Sequence, residues 1–230
     1  MLVVSSIDLT NNVPVMKPEK FLASTLKGFT LNLSNDYRYM KTGYYVSLHA
    51  EILGNRVIPS SENIIDSSRT PILLLRAARA GIPTLPFIVT DSVKKITSEL
   101  GFSVVIYAVN PFIHNGYKTA NNKTALYRAV KSLGMNYKFA VCAQPLKGEI
   151  HSFNSFFGKC EEDKEAKRIA EKVYALFKIP VCKLHVQRVS GKAFLSGLQP
   201  VEKSEIAQPD LNTISHEVLL LSEQGDHISG

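Results

Sequence analysis

The sequence predicts an α+β protein of mixed α/β lobes: a strand–helix–strand lobe at the amino terminus, then helices packed on mixed sheets. Three observations predict it. Short apolar runs of strand length, such as FTLNL, SVVIYAV and FAVCA, alternate with stretches whose apolar residues recur at helical spacing. The segment VCKLHVQR alternates cleanly and runs through Ser190 and Gly191 into KAFLSGL, which reads as a hairpin. The 230 residues, 45% hydrophobic and 20% charged with no Trp, are enough to bury a sizeable core.

In chain order, FTLNL at 29–33 alternates apolar and polar residues and is expected to be a strand. A helix is expected from Tyr44 to Leu53, ended by Gly54 in a left-handed conformation, before a short strand at Val57 and Ile58. The polar turn SNDYRYMKTG joins the first strand to that helix. Thr70 and Pro71 read as cap and first position of the next helix, and Gly81 closes it after ILLLRAARA. Thr90 or Asp91 is expected to cap a further helix with Val93, Ile96 and Leu100 on one face and Gly101 beyond its end. SVVIYAV, residues 103–109, is a continuous apolar strand of the buried kind.

A helix from Asn122 to Leu133 turns Leu126, Ala129, Val130 and Leu133 inward and stops at Gly134. FAVCA at 139–143 and IHSFNSFFG at 150–158 follow as strands. The helix over 161–178 carries Ala166, Ile169, Val173 and Phe177 on one stripe, with acids early and bases late, as its dipole favours. In VCKLHVQR, Cys182, Leu184 and Val186 face one way, and Lys183, His185 and Gln187 the other. A last helix is expected around Ile214 to Ser222. No internal repeat is present, and the expected division is 1–68 and 69–230, with a softer subdivision near 146.

No apolar run approaches the roughly 20 residues that span a bilayer, and MLVVSSIDLTNN lacks a basic region followed by a long apolar stretch. A cytoplasmic protein without an export segment is expected. Cys142, Cys160 and Cys182 show neither CxxC nor Cys/His ligand spacing, so neither a disulfide framework nor a zinc site is expected. The net charge of +7 is uneven: residues 69–147 hold eleven Lys and Arg against Asp91 and Glu99, whereas 151–230 hold ten bases and eleven acids. Such a basic stretch attracts anionic metabolites, nucleotide phosphates or nucleic acid, or is simply a solvated helix surface. Nucleic acid is disfavoured, because the bases are dispersed and no recognition motif accompanies them. Neither a GxxxxGK[ST] loop nor a nucleophile turn is present.

The stretch LNLSNDYRYMKTGYYVSLHAEILGNRVIPSSENIID, residues 31–66, resembles the core of the RimK-like ATP-grasp N-terminal domain family, GYYVSLHAE being its most specific part. SFNSFFGKCEEDKEAKRIAEKVYALFKIPVCKLHVQRVSGKAFLSGLQPVEKSEI, residues 152–206, resembles the same family's second half. In that family the domain usually precedes an ATP-grasp module that activates a carboxylate as acyl phosphate and joins it to an amine; here the chain stops instead. Residues 69–110 resemble the opening of an ATP-grasp module, where a helix ending in AGIP leads to a strand with a phosphate-binding lysine. Tyr107 takes that lysine's place. The loop NPFIHNGYKTANN has one glycine, Gly116, where a phosphate flap needs several. The last strand reads LSGLQP, offering Ser196 and Gln199 where the resemblance implies a Glu and an Asn for magnesium.

The resemblance therefore implies a degenerate or partial ATP-grasp relative: a substrate-binding or accessory component of a carboxylate–amine ligase system, incomplete as a catalyst alone. ATP and magnesium are the cofactors it implies, neither one certain. A separate RimK-like ATP-grasp ligase chain, or a small carboxylate or amine substrate, is the implied partner. The alternative is an active, divergent ligase whose phosphate contacts come from Lys118, Arg69 or other bases of the middle segment. No catalytic residue is identified and no metal site is expected.

The best local candidate for ligand binding is the turn from Asn35 to Tyr45, at a helix amino terminus where unpaired N–H groups favour an anion. It supplies Arg38, Lys41, Thr42 and Gly43, with Tyr37, Tyr39, Tyr44 and Tyr45 adding flat surfaces and hydroxyls. The resemblance turns it toward the cleft between lobes; the plainer alternative is that the tyrosines pack and Arg38 pairs with Asp36 or Glu51. His49, one turn past Tyr45, reaches the same cleft or is a half-buried structural histidine. A second candidate runs from Asn110 to Lys118 after the buried strand, with His114, Asn115, Tyr117 and Lys118; as an ordinary surface loop it needs no ligand.

Overall fold

A computed structural model describes residues 1–10, 13–110 and 116–226. The amino-terminal sheet is parallel: β1 (Leu2–Ser5), β2 (Thr30–Leu33) and β3 (Val57–Ile58) lie in that order. α1 (Pro18–Leu22) and α2 (Thr42–Ile52) supply the crossovers. Val46 and Ala50 of α2 pack with Val4, Phe21 and Val57 in a small core, and Gly54 closes α2 with φ of 78°. β1 and α1 were not foreseen in the sequence. Nor was α3 (Ser61–Ser68), where Ser60 Oγ caps the helix by accepting from Asn63 N at 3.2 Å.

α4 (Thr70–Arg79) begins directly after Arg69, which occupies the cap position, so Thr70 and Pro71 are the first two helical residues rather than cap and first position. The next sheet has four antiparallel strands in the order β4 (Ile88–Thr90), β7 (Val141–Pro145), β5 (Val104–Ala108), β6 (Tyr117–Ala120). α5 (Val93–Leu100) and α6 (Lys123–Leu133) cover one face of it through Ile96, Leu126, Val130 and Leu133. Ser92, not Thr90 or Asp91, caps α5, its Oγ accepting from Lys95 N at 3.3 Å. Thr90 Oγ1 instead accepts from Ser92 N. Asn122 caps α6 by accepting from Ala125 N at 2.9 Å. The strand expected at FAVCA begins two residues late, leaving Phe139 exposed.

The last sheet is antiparallel, in the order β10 (Lys192–Gln199), β9 (Val181–Val189), β8 (Glu149–Phe156), with Ser190 and Gly191 at positive φ in the β9–β10 turn. α7 (Lys164–Phe177), capped by Asp163, lays Ala166, Ile169, Val173 and Phe177 on one face of this sheet, and α8 (Gln208–Asp226) adds Ile214 and Val218. That core is continuous with Leu31 and Leu33 of β2, Ile64 of α3 and Leu73 of α4, so the amino-terminal and carboxyl-terminal sheets share one interior. The other face of the last sheet meets the middle sheet, where Val105, Tyr107 and Cys142 gather with Ile150. His185 and Gln187, on the side of β9 opposite Cys182, Leu184 and Val186, are buried there.

Candidate functional site

Strand alternation aims Val105 and Tyr107 of β5 toward the last sheet, with Cys142 of β7 opposite Tyr107 on one side and Tyr117 of β6 on the other. The Tyr107 hydroxyl makes a short hydrogen bond with Ser196 of β10. Ser196 Oγ donates to Gln144 Oε1 at 2.8 Å and accepts from Gln187 Nε2 at 3.4 Å. Gln144 Nε2 donates to Leu85 O at 3.1 Å, and Gln187 Oε1 accepts from Lys147 N at 3.0 Å. Tyr107, Gln144, Gln187 and Ser196 are each no more than 2% exposed, so the serine's donor and both its acceptor positions are used by protein. Burial holds the Tyr107 phenol well above its usual range.

His185 lies beside this network, edge-on to Tyr117 at 5.3 Å between centroids, with Nδ1 2.6 Å from Ser152 Oγ. Its Nε2 is buried with no aligned hydrogen bond, although the Gln199 carboxamide is near enough to oppose part of the shift. Burial, opposed by Gln199 and reinforced by the Lys183 charge, pushes the imidazole down to about 4. Gly197 lets the sheets close: a Cβ there would stand 3.1 Å from Tyr107 Cε1 and 3.4 Å from His185 Cδ2.

Where the lobes meet, a cavity of about 80 Å³ is lined by Tyr37 and Arg38 of the β2–α2 turn, Ser67, Thr70, Asn110 and Gln199. The structure thus brings Tyr37, Arg38 and Asn110 together. Arg38 Nε and Nη2 donate to the two Asp36 carboxylate oxygens at 2.9 and 2.6 Å, which holds the carboxyl below its usual range against the opposing effect of burial. The Tyr37 hydroxyl is structural, donating to Asn32 O and accepting from Ser34 N, each at 2.9 Å.

The other turn residues do not converge on that cavity. Gly43 is buried against the turn itself, where a Cβ would come 2.6 Å from Asp36 O. Lys41 and Thr42 border a separate polar crevice with Lys17, Asn35 and Lys203. Tyr44 packs edge-on to Tyr39 and Tyr45, with centroids 5.2 and 5.6 Å away, and Tyr39 and Tyr45 are exposed. His49 is the half-buried structural histidine, 3.0 Å from Ser24 O and edge-on to Phe21. Lys118 sits within β6 opposite Ile106, and its Nζ donates to Ser132 of α6 at 2.8 Å, so it occupies the helix-covered face of the middle sheet, away from Tyr107. His114 lies outside the described residues. Tyr117, in the second candidate, lies beside this network, whereas Gln144 and Gln187 were missed in the sequence; the available signal was a polar side chain on a strand whose two faces both have to be covered.

A strand–helix–strand lobe followed by two antiparallel sheets facing one another is the architecture of ATP-grasp proteins. The chain belongs to the RimK-like ATP-grasp N-terminal domain family, whose sequence profile matches residues 19–217. No curated protein matches it. Among solved structures it is similar to a RimK domain protein ATP-grasp from Sphaerobacter thermophilus, at 12% identity and a TM-score of 0.63, over 93% of this chain and 94% of that one. It is similar to a D-alanine–D-alanine ligase from Bacillus anthracis at 14% identity and 0.66, over 98% and 100%. The corresponding ligase from Helicobacter pylori matches at 16% and 0.58, over 81% and 68%. At these identities the likeness is one of fold.

Proposed function

We propose that this protein is a substrate-binding or accessory component of a carboxylate–amine ligase system and does not ligate alone. The observation that carries the reading is the buried Tyr107–Ser196–Gln144–Gln187 network, which fills the face between the middle and last sheets with protein hydrogen bonds. Acyl-phosphate chemistry has to neutralise charge on the transferred phosphoryl group with magnesium, a fixed cation and flap amides acting together. Tyr107 is neutral and tied to Ser196, and Lys118 points to the opposite face of its sheet. Ser196 and Gln199 bring neutral oxygens where a magnesium ion needs carboxylates, and no three His, Cys, Asp or Glu gather among the described residues. These residues do not fit a magnesium nucleotide.

The interlobe cavity suits a smaller ligand. At about 10–15 Å³ per water position, its volume admits a handful of atoms, the size of a carboxylate or amine group rather than a nucleotide. Arg38, Asn110 and Thr70 are among the residues that line it. The names of the similar solved structures, ATP-grasp protein and D-alanine–D-alanine ligase, support the ligase connection. The test is magnesium-dependent phosphate release from ATP by the purified protein, with candidate amino acids present and absent. No release above background is expected; turnover stimulated by a particular carboxylate and amine pair would establish the divergent ligase instead.

A further inference from the structure

Asn110 also lines a second opening, a groove of about 400 Å³ beside the middle sheet. Its lining is almost wholly apolar: Pro71 and Ile72 at the start of α4, Val89 of β4, Val109 after β5, and Phe139 and Ala140 before β7. Apolar side chains continue along its margin. Met135 Sδ accepts from Asn110 Nδ2 at 2.8 Å, which ties Met135 to the groove. Val89, Met135, Tyr137 and Phe139 are between 41% and 45% exposed.

Met135, Asn136 and Tyr137 are consecutive non-glycine residues at φ of 50°, 56° and 63°, a left-handed run that L-residues disfavour. Isolated exposed apolar residues are ordinary, but a lined groove with a displayed apolar margin marks an interaction surface. β4 adds a second feature. It is the edge of its sheet, hydrogen-bonded to β7 on one side with no strand of the described residues on the other, so its outer edge can receive an added strand.

Charge selects the occupant. No Asp or Glu is among the residues that line the groove, and two bases stand at it. Arg69 lines the groove itself, and the exposed Lys138 precedes Phe139. A second copy docking the same lobe face to face would set like charges together, whereas an acidic segment meets complementary potential. We propose that the groove bordered by Ile72, Val89 and Phe139 docks an extended segment of a partner protein in which apolar side chains alternate with Asp and Glu. The apolar residues enter the groove and the carboxylates meet the basic rim.

The probe is a fluorescein-labelled peptide, Glu-Leu-Asp-Val-Glu-Leu-Asp, titrated with the whole protein and followed by fluorescence anisotropy. Saturable binding is expected, weakened by added salt and lost by about tenfold or more when the acids are replaced by Lys or the apolar residues by Ser. Val89→Ser and Phe139→Ser, both at exposed positions and both leaving charge unchanged, are expected to weaken it by a similar factor while the circular-dichroism melt stays put. Binding that ignores both substitutions would be non-specific attraction to a basic lobe and would overturn the proposal. Absence of binding would overturn it too. Sedimentation that shows a dimer dissociated by Phe139→Ser would replace the partner by a second copy of the chain.

Discussion

Gly43 illustrates how a residue chosen for one reason serves another. A glycine in such a turn serves positive φ or the close approach of a ligand; the φ of Gly43 is ordinary, and what approaches is the chain's own backbone, Asp36 O, with Ser34 Oγ at 2.8 Å from a Cβ built there. Gly43→Ala is expected to cost about 1–3 kcal/mol by overpacking, read as a lowered urea midpoint with unchanged slope. His185 carries a pH signature. Its imidazole titrates near 6.5 when unfolded and is pushed down to about 4 by burial in the native chain, so between those values the unfolded state binds more protons and stability falls as the solution is acidified. His185→Gln is expected to flatten that decline by up to about 1.4 kcal/mol per pH unit between pH 6 and pH 5, measured by denaturant titration at each pH. An unchanged slope would mean the histidine is solvated. The side-chain environment of His185 was not legible in the sequence, because alternation alone gives a strand two faces without saying that both are covered.

At the level of elements, what could be read followed local chemistry. α6 has its cap, four inward residues and terminator within one stretch, α7 has a five-residue buried stripe, and the β9–β10 turn announces itself by Ser190 and Gly191. Asn122→Ala is expected to lower stability by about 1 kcal/mol through the lost cap on Ala125 N, and Asn122→Asp to restore most of it, measured by thermal melts. The strands that escaped are short and held by distant partners. β1 exists because Leu2–Ser5 pairs with residues 30–33, β4 because three residues lie against β7, and β6 because Tyr117–Ala120 pairs with β5. The Tyr117–Ala120 segment has the composition of a loop, and it is its position beside β5 that makes it a strand. Of the candidate site, the pairing of Arg38 with Asp36 was legible as an alternative in the turn's own sequence, whereas its place beside Asn110 depends on which elements pack together across the chain. The diversion of Lys41, Thr42 and Lys118 to other surfaces depends on which side of each element faces which lobe.

For the whole molecule, three sheets meet in two different ways. The amino-terminal and last sheets share a continuous apolar interior, whereas the middle sheet meets the last through a small apolar cluster around Val105 and Cys142 and, beside it, a hydrogen-bonded group of Tyr107, Gln144, Gln187 and Ser196. An apolar interior fixes how the outer two pack; in the polar contact the Tyr107 and Ser196 hydroxyls and both glutamine side chains have partners, and the proposed function takes this contact to close the face where the family resemblance would put a nucleotide. The direct test of this closure is the change in unfolding free energy of the protein on adding millimolar magnesium–ATP. A site that holds the nucleotide at a hundred times its dissociation constant gains about 2.7 kcal/mol, whatever chemistry follows. The filled interface predicts a shift smaller than about 0.5 kcal/mol, within the effect of magnesium chloride and salt alone; a nucleotide-specific gain near the larger figure would contradict it.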